Sequence, residues 1–124
     1  MTGMTEERSL HILVAEDEAM IGLMIEDFLG ILGHRLAALC TSLSDCEAVL
    51  DASTRLDAAI LDCNLSDGAI WPVARRMRDH GIPIIFASGG DSHAMPDDLA
   101  VTPVLAKPFS LEALERALAE LVES

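Results

Sequence analysis

Acidic, hydroxyl and amine side chains recur at one kind of place in this sequence, directly after or at the close of a short apolar run. Glu16, Asp17 and Glu18 follow H-I-L-V-A, Asp62 follows D-A-A-I-L, Ser88 follows I-P-I-I-F-A, and Lys107 and Pro108 follow V-L-A. Lys107 is the single lysine of the chain. If the runs are parallel strands, these side chains gather beyond one edge of a sheet, where the working site of an open α/β fold lies. Several carboxylates in one pocket repel one another, and a hard dication relieves that cost. Oxygen-only ligands from so few residues suit Mg²⁺, which keeps several waters and is completed by phosphate oxygens. A carboxylate can attack phosphorus and form an aspartyl phosphate. An ammonium and Mg²⁺ together neutralise charge on transferred oxygens, and a neighbouring hydroxyl can donate a hydrogen bond to the bound group. If the chemistry is phosphoryl transfer, each member of the set therefore has a physical job.

The elements that must position these residues are legible as alternating strands and helices. The four runs, starting at His11, Asp57, Ile82 and Val104, are rich in Ile, Leu, Val and Ala without polar alternation, as in strands buried on both faces. A weaker run, R-L-A-A-L-C from Arg35, reads as an edge strand. Between them a helix is predicted from Glu18 to Leu32, carrying Met20, Leu23, Met24, Phe28 and Ile31 and stopped by Gly33. The S-x-x-E box Ser44 to Glu47 predicts a second helix, and Ala69 to His80 a third, with Pro72 in its first turn and Gly81 after its end. Ser110 is placed to cap a last helix whose Leu111, Leu114, Leu118, Leu121 and Val122 share one stripe. Gly89 to Pro103 holds glycines, prolines and little apolar periodicity, so a loop or a single irregular turn is expected there. The fold expected is α/β: a flavodoxin-like (βα)5 doubly wound parallel sheet of order 2-1-3-4-5, with a degenerate or irregular fourth helix. The domain is expected over 10–124, after an N-terminal tail at 1–9.

Composition bounds the partners. The 124 residues fit one domain and carry a formal net charge of −13. That balance argues against nucleic acid and against anionic lipid, both of which call for a cationic face. No apolar stretch approaches the roughly 18 residues of a membrane span, and the N-terminus has no signal layout, so a cytoplasmic protein is expected. Cys40, Cys46 and Cys63 are odd in number and lack a C-x-x-C pairing, which indicates neither a disulfide framework nor a zinc site.

Four motifs in order carry a family resemblance: the acids of L-V-A-E-D-E, the acceptor in I-L-D-C-N-L, the hydroxyl in F-A-S-G-G, and K-P-F. From about His11 to the C-terminus the chain resembles a response regulator receiver domain, the phospho-acceptor half of two-component signalling. The resemblance implies that Asp62 is the phosphorylated aspartate and that Asp17 binds Mg²⁺ directly and Glu16 directly or through water, together with Asp62 and the backbone carbonyl of Asn64. It further implies that Ser88 is the switch hydroxyl, Lys107 the phosphate-sensing lysine, and Pro108 a cis-linked proline. The phosphodonor would be a sensor histidine kinase or a histidine phosphotransfer protein. Readout would pass to a downstream protein, or the chain would act as a phosphate sink. It implies a phospho-acceptor rather than a turnover enzyme.

Two departures from the usual receiver stand out. Val104 occupies the place, three residues before the lysine, where an aromatic ring normally follows the hydroxyl. The Ser88 to Lys107 interval is also short. With I-I-F-A-S-G-G, these features are similar to a subgroup with a Phe-Ala-Thr-Gly-type motif, common in alphaproteobacteria and often without an output domain. The tyrosine that usually closes that motif is absent.

Taken singly, each residue has an ordinary reading. Adjacent acids cap helices, serine before glycine is loop chemistry, and Cys63 is a small packed side chain. Met20, Met24 and Phe28 read as core, and the four histidines as surface or loop residues. A haloacid dehalogenase-type hydrolase would need a D-x-D pair after strand one and a cap, whereas here the acids are adjacent. A phosphorylation-independent pseudo-receiver is the other alternative, and such modules normally lose an acceptor, an acid or the lysine.

Overall fold

The central strands are set by their composition. His11–Ala15 (β1), Ala58–Asp62 (β3) and Ile84–Ser88 (β6) are buried along almost their whole length, as strands covered on both faces must be. The computed structural model describes residues 9–89 and 95–123. Arg35–Cys40 (β2) and Val104–Ala106 (β7) are more exposed and form the edges. All four pairings are parallel, and the sheet order is β2-β1-β3-β6-β7. The two-strand hairpin described below takes the numbers β4 and β5, so this is the expected 2-1-3-4-5 order. The expected tail lies outside the described residues except for Ser9.

Four α-helices among the described residues cover the two faces. Ala19–Ile31 (α1) and Leu111–Glu123 (α4) pack on one face through Ile25, Leu29, Leu114, Ala117 and Leu118. Leu43–Asp51 (α2) and Trp71–Asp79 (α3) pack on the other through Cys46, Leu50, Val73, Ala74 and Met77. Gly33 and Gly81 end α1 and α3 in the positive-φ conformation that glycine adopts without strain. Ser110 Oγ accepts from the Ala113 N–H and caps α4. No helix among the described residues is long and apolar enough to cross a membrane.

Several local expectations are corrected. Met20 is not core: it is 82% exposed, as are Leu23 and Ile31 to 60% and 67%. Helix α1 is apolar nearly all round, so periodicity alone does not choose its buried face. The face is chosen by close approach instead, since a Cβ on Gly22 would lie 3.3 Å from the Leu39 side chain. The cap of α2 is Ser42, not Ser44. Ser42 Oγ accepts from the Asp45 N–H, and the Asp45 carboxylate accepts from the N–H and hydroxyl of Thr41, the residue before the cap, a variant of the reciprocal box two residues earlier. Helix α3 starts at Trp71 because Ala69 is taken into an antiparallel hairpin of Asn64–Leu65 (β4) and Gly68–Ala69 (β5). His11 opens β1, where the first apolar run is expected to begin, and its partly exposed ring lies 3.2 Å from Asp57.

The interval between β6 and β7 holds a 3₁₀ turn, Asp97–Leu99, where a fourth helix would sit, and residues 90–94 of it lie outside the described residues. The turn is not loosely attached. Leu99 is 1% exposed against the α3 side of the sheet. Arg75 holds Asp98 through two hydrogen bonds and Arg78 adds another, which together keep the Asp98 carboxyl down at about 2. Truncation at Leu99 therefore creates a core cavity: Leu99→Ala is expected to cost about 2–5 kcal/mol in urea unfolding. A cost below about 0.5 kcal/mol would mean that the turn carries no packing.

Candidate functional site

Each site residue stands at or just beyond the carboxyl end of a strand, which brings it to one edge of the sheet. β1 delivers Glu16 and Asp17, β3 ends on Asp62, β6 ends on Ser88, and β7 leads into Lys107. The registers align these ends, with Ala15 opposite Leu61, Asp62 opposite Ala87, and Ser88 opposite Ala106. Backbone bonds extend the frame past the ladders: the Glu16 N–H donates to Cys40 O at 2.9 Å, and the Lys107 N–H to Ser88 O at 2.7 Å.

Glu16, Asp62 and Lys107 are in direct contact. Lys107 Nζ lies 3.0 Å from Glu16 Oε1 and 3.0 Å from Asp62 Oδ2. The remaining oxygens are also engaged. The Glu18 N–H donates to Glu16 Oε2 at 3.0 Å, and the Asn64 N–H to Asp62 Oδ1 at 3.2 Å. Glu16 is 2% exposed and Asp62 and Ser88 7% each, while Asp17 faces solvent. Burial raises the Glu16 carboxyl above the ordinary range, against the pull of its hydrogen bonds from Glu18 and Lys107. Burial alone would depress Lys107, but its hydrogen bonds to Glu16 and Asp62 outweigh that and raise it, so the ammonium stays charged.

Oxygens of Glu16, Asp17 and Asp62 lie within 4.8 Å of one another, and together they can hold a metal ion. The chemistry of this donor set fits a hard cation. Three carboxylates face one ammonium, all donors are oxygen, and Asp17 opens the cluster to water. Cys63, next to Asp62 in the chain, is 1% exposed, and burial pushes its thiol up to about 11, which leaves a packed, inert group. Lys107 and Pro108 are joined by a cis peptide bond. Val104 is 48% exposed; its partner across the ladder, Phe86, is a core ring edge-on to Trp71 at 5.4 Å.

Next to the cluster a cleft of about 250 Å³ runs between α1 and the segment after β7, lined by Glu18, Ile21, Met24, Gly89, Lys107 and Phe109 among others. Sequence reading placed every member of the cluster but missed the Asn64–Ala69 hairpin, whose strands are too short for periodicity to register. The S-D-G tripeptide at its turn is the signal that could have found it.

Lys107→Met leaves the buried carboxylates without their cation. In chelator the variant is expected to be less stable by about 1–3 kcal/mol in urea unfolding, limited by the ease with which Glu16 takes up a proton. Added Mg²⁺ is expected to restore more stability to the variant than to the wild type, because the cation replaces the missing charge. Equal stability of the two proteins in chelator would mean that the ammonium does not offset the acids.

No family model and no curated protein matches the chain. Solved structures do. The chain is 36% identical to SdrG from Sphingomonas melonis Fr1, over 92% of this chain and 97% of that one, with a TM-score of 0.82. Against the BeF3-activated conformation of SdrG from Pseudomonas melonis Fr1 the identity is 36%, the coverage 92% and 98%, and the TM-score 0.77. A response regulator receiver protein from Sinorhizobium medicae WSM419 is 27% identical over 94% of this chain and 97% of that one, with a TM-score of 0.78.

Proposed function

The chain belongs to the response regulator receiver family, and from that membership we propose that Asp62 accepts a phosphoryl group from a phosphohistidine, in a reaction that requires Mg²⁺. The observation that carries the reading is the contact of Lys107 with both Asp62 and Glu16 at the carboxyl edge of the sheet. An ammonium held against two buried carboxylates is costly to assemble for stability alone. It is the arrangement that phosphoryl transfer to a carboxylate uses.

Glu16, Asp17, Asp62 and the Asn64 carbonyl would hold Mg²⁺. When bound, it supplies charge neutralisation for the oxygens of the transferred group. An Asp62 oxygen attacks phosphorus as the phosphorus–nitrogen bond to the donor imidazole breaks. The electron pair leaves with the imidazole, and the product is an acyl phosphate. Lys107 then contacts a phosphoryl oxygen, and the Ser88 hydroxyl, at the end of the adjacent strand, donates to another. The serine of F-A-S-G-G stands where the Phe-Ala-Thr-Gly subgroup has threonine, and we place the chain near that subgroup. The beryllofluoride-activated form of a relative 36% identical supports the same acceptor chemistry here.

The donor is a sensor histidine kinase or a histidine phosphotransfer protein. Support comes from the cleft beside Lys107 and from α1 next to it, where Met20 and Leu23 present apolar surface to solvent. The charged state shifts an existing equilibrium at the Ser88–Lys107 edge and so alters a surface read by another protein, or drains phosphate from the pathway.

Intact-protein mass after incubation with Mg²⁺ and a small phosphodonor tests the reading. A gain of one phosphoryl group is expected, abolished by chelator and absent in Asp62→Asn. No gain, with small donors or with a panel of histidine kinases, would sink the proposal in favour of a pseudo-receiver that only binds.

A further inference from the structure

Asp67 sits at the exposed tip of the β4–β5 hairpin, yet its carboxylate is engaged. The N–H of Leu43, the first residue of α2, lies 2.9 Å from its Oδ1 and 3.1 Å from its Oδ2. The local cap, Ser42, is already occupied by the Asp45 N–H. Asp67 is therefore a second, non-local cap, drawn to the positive end of α2. Gly68 makes the seat close: its φ is +145°, and a Cβ there would come within 3.1 Å of Leu43 Cδ1. A side-chain bond and a steric fit together press the hairpin onto the start of α2.

The same start of α2 reaches the acidic cluster from its other side. Cys40, which ends β2 three residues before Leu43, accepts the Glu16 N–H at 2.9 Å. The hairpin begins at Asn64, whose N–H donates to Asp62 Oδ1 at 3.2 Å. The contacts thus run in a ring: Glu16, Cys40 to Leu43, Asp67, Asn64, Asp62, and through Lys107 back to Glu16. Within that ring, Asp67 to Leu43 is the link made by a side chain outside the cluster.

We infer that Asp67 is a positioning residue for the cation site: by tying the hairpin to α2 it fixes Asn64 relative to Asp62 and Glu16, and so sets the affinity for Mg²⁺. This rests on the reading of the cluster as a divalent-cation site. Asp67 contributes no ligand. It restricts where the Asn64 carbonyl can be, as an outer-shell partner does for a ligating group.

Calorimetric Mg²⁺ titration of the full chain as wild type, Asp67→Ala and Asp67→Asn tests this, together with amide exchange in chelator. Asp67→Ala is expected to weaken Mg²⁺ binding roughly 3- to 10-fold, at or below the low end of outer-shell effects. Asp67→Asn keeps an acceptor oxygen and is expected to stay within about twofold of wild type. In chelator, the Leu65 and Ile70 amides should exchange faster in the alanine variant. The rate of Asp62 phosphorylation should recover at saturating Mg²⁺, since the loss is in binding. Wild-type Mg²⁺ affinity in Asp67→Ala would reduce Asp67 to a helix cap and overturn the inference. A wild-type protein that binds no Mg²⁺ would overturn the cation-site reading itself, a result distinguishable from the first because it does not involve the variants.

Discussion

The ammonium of Lys107, 3.0 Å from both Glu16 and Asp62, is the interaction on which the rest of this edge depends. Two nearly buried carboxylates at the ends of neighbouring strands would repel each other in a medium poorer than water at screening charge. One cation between them makes the arrangement tolerable without making it especially stable, because desolvation of all three groups offsets most of the attraction. An apolar trio of similar volume would serve folding as well. Charge at these strand ends is the kind of departure from the stability optimum that functional sites commonly show. The single ammonium also leaves the cluster, with Asp17 included, net negative and receptive to a further cation.

The parallel sheet converts sequence spacing into this geometry. Strands buried on both faces have no freedom to slide, since a one-residue slip would turn a different set of side chains toward each helical layer. With β1, β3 and β6 fixed in register, the residue that ends or follows each of them has one place to go. The chain needs no long-range coding of the site beyond putting the right residue at the close of an apolar run. The helices contribute at their N-terminal ends, where α1 and α2 begin beside the cluster and their free N–H groups face acidic side chains.

This explains what could be read from the sequence and what could not. Glu16, Asp17, Asp62, Ser88 and Lys107 were legible because each is tied to a strand end, and strand ends are marked by the loss of Ile, Leu and Val. Gly33 and Gly81 were legible because positive φ has few alternatives to glycine. The buried face of α1 was not, since a helix with apolar residues all round has several equivalent stripes and the choice falls to the approach of Leu39 to Gly22. Ser42 and Ser44 both precede an acid by three residues, and the contact of Asp45 with Thr41 decides between them. Leu99 lies in a stretch of glycine, proline and aspartate with no periodicity, and its burial comes from α3 through Arg75 and Arg78 rather than from local pattern. Asp67 acts across 24 residues, and no local signal encodes such a distance.

The shortness of β7 has a further meaning for how this molecule meets others. Its three residues form an outer edge, bracketed by Pro103 and Pro108, neither of which has an N–H to offer. Pro103 O and the Lys107 N–H are directed inward to β6, so by alternation the outward donors of the strand reduce to Val104 and Ala106. Two amides are too few to template another strand. Among the described residues the sheet ends here, and a protein that reads this side would recognise side chains such as Val104 rather than continue the backbone ladder.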